Sequence, residues 1–585
     1  MERNIQYSIT RKVNDYYDDC QQGGSLGQLG YFYSSAILNT ADWNTESKMI
    51  TNSHNIGIDH EPDEYSFSIP GLTGKFYFGH DQQFKIICDR PVKLEFIGQH
   101  SDTYPPFTPP HFTTGGTGFW AGQPKYLGHS RGFILTDEFG TKYEFGGGDN
   151  AYMEYSIDFF NQGSDTWICN AWHLKSIKKA TGQTNNFAYE RGKFVSQMHF
   201  SAYYRKYEID GTGGFSNTNC SGSSLLFGPY GPYSGKLISP IYLKEISSDN
   251  YKVKFVSSQS TELRYDVNIY TTFVNLHNTQ RLNVLTFLYD CFYPQGTTCS
   301  GDENRPVATL IEQLQWRKLD SIKVQNGNGV NIKEFAFTYN NVSTERLMLK
   351  KVQEKSAYSS KVIPPYEFTY FSDLVLALPA YGKSHTDHWG YNNGKPINIS
   401  TDFASLANYG TLNRSAQTDP KYLLLGSLVQ VKYPTGGYTQ FKMEPHSFSR
   451  EVKLKRWEGF DTYSSNRVAG GLRIKEIHNY DPNSQSPLTT KKYYYLQEFD
   501  PASPDTTSLL SSGVLGGKTQ YYWPDYKPKP EGSFTYLEEI FSTQSVLPGS
   551  ENSMGSHIGY SKVIEKNSGG GWILHNFSNY DTKLF

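Results

Sequence analysis

Charge is scarce in this chain. Only 19% of its 585 residues are Asp, Glu, Lys or Arg, and 55 basic residues against 57 acidic ones leave a net charge of −2. A nucleic-acid binder needs a basic face to offset phosphates, so this balance argues against one. It argues equally against an acidic disordered tail. Long apolar runs are also missing: none approaches the ~18 residues of a membrane-crossing helix. The first residues, Met1 to Ile5, lead into a polar stretch without the apolar segment of a secretion signal. Cysteine is sparse. Cys20, Cys88, Cys169, Cys220, Cys291 and Cys299 show no Cys-x-x-Cys spacing for a metal or redox site. Cys291 and Cys299 flank a loop-like stretch, which leaves open a loop-closing disulfide or two thiols, the thiols being favoured.

Aromatics and glycine are what the chain has in plenty: 45 Tyr, 36 Phe, 9 Trp and 53 Gly. Aromatic side chains favour strands and glycine supplies turns, so the composition points to an all-β protein. The length exceeds what one core fills, so several units or a repeat are expected. Four regions follow from the pattern: an irregular N-terminal segment (1–62), a β-hairpin entry region with a Pro-rich loop (63–130), a hairpin array (131–380), and a second array with long insertions (381–585). Within the first, Ser8–Asp19 and Ser34–Asn44 are candidates for short helices. Glu64–Ile69 alternates polar and apolar, Gly71–Gly74 turns, and Lys75–Phe78 returns, which reads as a hairpin. The four prolines of residues 103–112 exclude helix and central strand there.

After that loop a unit recurs: a short apolar strand, a turn with Gly, Asn or Pro, and a strand ending in alternating aromatics. Eight copies are outlined by Phe133–Leu135 with Tyr143 and Phe145, Trp172–Ile177 with Phe187 and Tyr189, Leu243 and Ile246 with Val253 and Phe255, Leu319–Val324 with Phe335–Tyr339, Leu347–Val352 with Tyr366–Tyr370, Leu425–Val431 with Tyr438 and Phe441, Leu472–Tyr480 with Tyr493 and Tyr495, and Tyr560–Ile564 with Trp572–Phe577. One hairpin is marginal in water, so neighbours must join edges or stack. Spacing varies, so this is no strict solenoid. Residues 211–237, 287–306 and 500–556 read as Gly-, Ser- and Pro-rich insertions.

These hairpins resemble YD (tyrosine–aspartate) repeats, the unit of RHS-type proteins. In the second half, Asp387–Lys395, Tyr433–Gly437, Val468–Ile474, His557–Glu565 and Phe577–Asp581 resemble blocks of the long RHS/YD-repeat-related proteins of the Bacteroidetes. In the first half Pro62–Phe67 and Leu135–Tyr143 do so. The resemblance implies a secreted or surface-exposed β-rich shell; in better-understood relatives the strands spiral into a hollow cocoon around a C-terminal toxin. The chain ends at Leu584-Phe585 without an RHS core motif, self-cleavage aspartates or a variable toxin segment. The resemblance therefore places it with the upstream region of such proteins, as a fragment or truncated relative, without a toxin role of its own.

Candidate chemistry is weak by comparison. Gly23–Gly27 matches Gly-x-Ser-x-Gly but lacks the strand–turn–helix setting of a nucleophile elbow. Gly116–Ala121 loosely matches a dinucleotide fingerprint, yet Phe119 and Trp120 suit no phosphate cradle. His60–Glu64 begins like a zincin helix that Pro62 would break. His385, Asp387 and His388 are the best metal candidates, with His80 or His446 as a further ligand. A structural reading is favoured over it: Asp387 caps a turn, Gly390 allows close backbone approach, and Trp389 and Tyr391 pack on one face. Paired carboxylates for sugar hydrolysis have no defined spacing here. Most aromatics are expected as cross-strand pairs. Sequons at Asn341, Asn398, Asn413 and Asn576 carry little in a bacterial context.

The sequence thus leads to an all-β, irregular YD-repeat-like hairpin array, forming a curved sheet or partial RHS-type shell. It is read as non-enzymatic and structural, serving encapsulation, display or cell contact. A carbohydrate-binding or adhesive surface module is the second reading and a glycoside-active enzyme the third. No catalytic, cofactor or metal residue is assigned. The partners implied are the rest of a longer RHS polypeptide, a toxin cargo or glycans, with no nucleic acid and no transmembrane segment.

Overall fold

The structure, a computed structural model, describes residues 7–12, 31–32, 61–98, 125–126, 130–147, 150–158, 166–193, 195–200, 202–211, 222–227, 233–262, 316–356, 362–379, 386–395, 419–500, 509–517, 520–528, 534–546 and 556–581. The described chain is nearly all β. Its strands pair almost wholly antiparallel, in one large connected sheet and one small one.

The N-terminal part is built around the 13-residue strand Thr166–Lys178. Its first half pairs with Met153–Asp158, its second with Lys142–Gly146 and Thr184–Arg191. Irregular register at Cys169/Ala171 and Leu174/Ser176 marks the change of partners, as bulges do where a strand bends between sheets. Alternation buries Tyr65, Phe67 and Ile69 from one side, and Tyr65 meets Phe76, Phe133 and Trp172. Tyr65 stacks on Phe76 with centroids 4.9 Å apart, and Phe133 meets Trp172 edge-on at 5.1 Å.

Ser8–Lys12 corrects the helix expected over Ser8–Asp19 and the irregular reading of the segment's start: it is a strand. It joins Glu64–Ile69 to Ala171–His173, pairing on both edges. Ile9 is fully buried, and Arg11 lies 3.7 Å from Asp63 and 5.5 Å from the Trp172 ring. Two ladders and a buried ion pair outweigh local propensity. Ser34–Asn44 and the Pro-rich loop lie outside the described residues.

From here the chain runs as a meander. All eight expected hairpins form as antiparallel pairs. From Ile241–Ser247, each strand pairs with the next in chain order through Tyr251–Gln259, Arg317–Asn326, Asn331–Asn340, Met348–Ser356, Tyr366–Tyr370, Leu428–Lys432, Tyr438–Val452, Phe460–Tyr480 and Thr489–Tyr494. Lys562–Asn567 and Trp572–Asn576 complete it. The register sorts side chains mainly by face, with exceptions: the ion pair Lys333–Glu354 sits on the apolar side beside Val324 and Phe335, and Tyr438 and Tyr480 sit on the charged side beside Lys432. One face carries the rungs Phe187–Ile246–Val253–Val324, Phe255–Ile322–Phe335, Phe337–Val352–Tyr366, Phe368–Val431 and Phe441–Ile477. The other carries Lys254–Lys323–Glu334–Lys355, Thr338–Lys351–Glu367–Lys432 and Gln430–Gln440–His478–Thr490. Val324, Phe335, Phe337, Val352, Val431 and Phe441 on the apolar face are only half-buried.

Two of the insertions read as irregular contain strands instead. Ala202–Gly211 and Gly222–Phe227 form one hairpin, Gln520–Pro528 and Phe534–Val546 another, and the two hairpins join edge to edge through Ala202–Gly211 and Phe534–Val546. The join between Ala202–Gly211 and Phe534–Val546 links strands more than 300 residues apart in sequence, which local pattern does not show. Residues 287–306, with Cys291 and Cys299, lie outside the described residues. Cys88 and Cys169 are free thiols. Among the described residues no helix is long and apolar enough to cross a membrane.

Candidate functional site

A buried polar cluster lies where the loop around Asp387 meets the long hairpin Tyr438–Val452/Phe460–Tyr480 and the strand Ile558–Tyr560. The loop is built by Asp387. Its carboxylate accepts from the Trp389 and Tyr391 amides at 2.9 and 3.0 Å, and its own amide donates to the Tyr391 carbonyl. Asp387 thus caps a turn, as expected. Gly390 serves a different purpose from the one expected. Space around it is open, and the turn instead needs its positive φ of 88°. Asn392 donates to the Tyr422 carbonyl at 2.9 Å and docks the loop on the short helix Pro420–Leu424.

Trp389 and Tyr391 lie on one side and flank the His557 ring at 5.7 and 5.4 Å. His557 Nε2 donates to the Gly470 carbonyl at 2.8 Å, and its ring is 5.5 Å from that of His446. Tyr560 is the hub. Its hydroxyl accepts from Arg473 Nη1 at 3.0 Å, which leaves its own proton for His446 Nδ1 at 2.8 Å. Arg473 also donates through Nε and Nη2 to Glu444 Oε1, and lies 4.2 Å over the Tyr495 ring. Tyr495 donates to the Ile474 carbonyl at 2.7 Å. The adjoining C-terminal segment is tied down as well: Asp581 pairs with Arg450 and accepts from Ser561, and Tyr580 donates to the Ser556 carbonyl.

Burial, then the neighbouring His557 and the Arg473 cation, push His446 down to about 3. Burial lowers His557 as well, against its bond to Gly470. Burial raises Tyr560 and Tyr495. These histidines are neutral in the fold at neutral pH, so protons favour the unfolded chain below the ordinary histidine pKa of ~6.5. Stability is therefore full above pH ~6.5 and falls as the pH drops toward the folded value. Between pH 7 and 5, His446 alone is expected to remove about 2 kcal/mol. Urea unfolding at the two pH values checks this, and equal stability at both would contradict it. Glu476, held at about 2 despite burial by bonds to His478 and Lys442, adds a loss of the same sign only below pH ~4.5. Tyr560→Phe, which strips the bridge between Arg473 and His446, is expected to cost roughly 1–2 kcal/mol in the same assay.

Of the metal candidates, His385 lies outside the described residues. His388 meets Trp389 edge-on at 5.7 Å, His80 sits exposed in the turn closed by Gly79 and Gln83, and His446 is engaged by Tyr560. Among the described residues no group of three His, Cys, Asp or Glu is placed to hold a metal ion. Gly23–Gly27, His60 and Gly116–Ala121 lie outside the described residues. What the structure does bring together is four of the five quoted second-half blocks: 387–395, 468–474, 557–565 and 577–581. Tyr433–Gly437 forms a separate hairpin turn, with Gly436 at φ 92°. Aromatic pairing across strands is seen at Tyr438 and Tyr480, stacked at 4.4 Å. Glu444 and Arg473 escaped the sequence reading as a pair. Their signal was two charges of opposite sign interrupting apolar runs 29 residues apart.

No family model matches the chain, and no curated protein matches it. Solved structures do. The TcdB2–TccC3–Cdc42 crystal structure matches with 10% identity and a TM-score of 0.22, over 82% of this chain. This chain spans only 18% of that one. The N-terminal domain of the effector SpvB from Salmonella typhimurium strain LT2 matches with 10% identity and a TM-score of 0.22, over 60% of this chain and 87% of its own. A porin-like protein from Bacteroides uniformis matches with 9% identity and a TM-score of 0.14, over 83% and 92%. Scores this low carry nothing about function.

Proposed function

We propose that this chain is a structural wall: a non-enzymatic, β-rich shell or surface protein of RHS/YD-repeat type, acting in encapsulation, display or cell contact at the cell surface or outside the cell. The observation that carries the reading is the two-faced meander. Hairpins added in chain order produce a sheet with mainly charged rungs on one side and mainly apolar, half-buried rungs on the other, the Lys333–Glu354 ion pair being an exception on the apolar side. A sheet so divided is suited to separate two environments, with water on the charged side and enclosed material on the apolar side. The buried cluster fits the same role. Its potentially reactive groups are spent on joining segments: Tyr560 on His446 and Arg473, His557 on Gly470, Tyr495 on Ile474. The rest of a longer RHS polypeptide or a toxin cargo is the partner this reading implies.

The adhesive alternative draws support from Trp457 and Trp572, both exposed. A glycan array and a panel of chromogenic glycosides, run on the purified full chain, separate the readings. The wall reading expects no glycan binding and no turnover. Saturable glycan binding would replace it with the adhesive reading, and glycoside cleavage with an enzyme.

A further inference from the structure

Among the described residues the longest hairpin ends in a turn with exposed apolar side chains. Its strands, Tyr438–Val452 and Phe460–Tyr480, run 15 and 21 residues. The connecting sequence is Lys453-Leu454-Lys455-Arg456-Trp457-Glu458-Gly459. The turn is defined in shape. Lys453 N donates to the Gly459 carbonyl at 2.9 Å, Glu458 N to the Lys455 carbonyl at 2.9 Å, and Gly459 takes a φ of 84°. Holding the backbone this way turns two large apolar side chains into solvent: Leu454 is 59% exposed and Trp457 is 83% exposed. Leu374 and Val375 are more exposed still, but they follow Asp373 in a stretch without a cation. Around Leu454 and Trp457, by contrast, Lys453 and Lys455 share the turn with the exposed apolar groups, and the sequence adds Arg456 before Trp457. Glu458 offsets one of them, 3.7 Å from Lys455.

We infer that this turn is a docking tip for an anionic lipid bilayer, with Leu454 and Trp457 entering the interface and Lys453 and Lys455 meeting lipid phosphates. The division of labour follows from the side chains. An indole settles at headgroup level, a leucine gains by leaving water, and lysine stems lie along the apolar layer while their ammonium groups stay wet. Cations near an anionic surface add attraction that salt screens. A sugar site would need polar groups converging beside the indole, whereas here a second apolar side chain and cations flank it. The chain's net charge of −2 gives no general attraction to such a surface, so binding must come from a local feature. The contact is independent of whether the sheet encloses cargo.

Co-sedimentation of the full chain with vesicles tests it. Wild type is expected to pellet with phosphatidylcholine vesicles containing about 30% phosphatidylglycerol, and to stay in solution with phosphatidylcholine alone or at high salt. The Leu454→Ser/Trp457→Ser variant is expected to lose at least about tenfold in partitioning. Lys453→Ser/Lys455→Ser is expected to lose about 25-fold, near fivefold for each cation. The substituted side chains form no part of a core, so both variants keep the wild-type far-UV spectrum. Wild type remaining in the supernatant with anionic vesicles would overturn the proposal. So would either double variant pelleting as wild type does.

Discussion

Trp172→Ala is expected to destabilise the N-terminal layer by about 5 kcal/mol. Trp172 is fully buried and packs against Tyr65 and Phe133, at 5.9 and 5.1 Å between ring centroids. Its indole N–H donates to the Ser130 carbonyl at 2.8 Å. Removing it opens a cavity, at roughly 3–5 kcal/mol for a buried Trp. It also leaves a buried carbonyl without that donor, at about 1 kcal/mol or more. A cation–π contact with the buried Arg11, paired with Asp63, goes as well. Urea unfolding followed by near-UV circular dichroism reads the effect as a lowered midpoint. A change below about 1 kcal/mol would mean that this cluster does not hold the layer together.

Gly470→Ala is expected to cost about 3 kcal/mol or more, through overpacking of the buried joint. A Cβ on Gly470 would fall inside contact distance of the Asp387 carboxylate, which is fully buried and held by two loop amides. The carboxylate cannot retreat without undoing its own turn. Gly390→Ala is the matched control. Its φ of 88° makes alanine strained, but nothing lies within 4 Å of the added carbon, so the expected cost is only about 1–2 kcal/mol. The ranking of the two variants by thermal or urea unfolding checks the packing at the joint. Equal costs would show that backbone conformation alone accounts for both glycines.

The hairpins were legible because alternation and turn glycines are local signals: Phe335, Phe337 and Tyr339 declare a strand without reference to any other residue. Asp387 as a turn cap was legible for the same reason. Ser8–Lys12 was not, since its partners begin at Glu64 and Ala171. The joint was legible only as scattered blocks. His446 and Tyr560 stand 114 residues apart, Arg450 and Asp581 131. Nothing in the spacing of such residues announces contact, and the polar side chains of a joint look like those of a catalytic or metal site until their partners are known. The strands inside the 211–237 and 500–556 insertions escaped because Gly, Ser and Pro signal turns more strongly than the intervening residues signal strands.

As proposed, the meander is a wall one sheet thick around a space. Small-angle X-ray scattering of the purified full chain tests it most directly through the distribution of interatomic distances. A wall around a hollow places the most probable distance beyond half the maximum dimension, and that is the predicted result. A maximum at or below half, as for a solid globule or an extended chain, would contradict it.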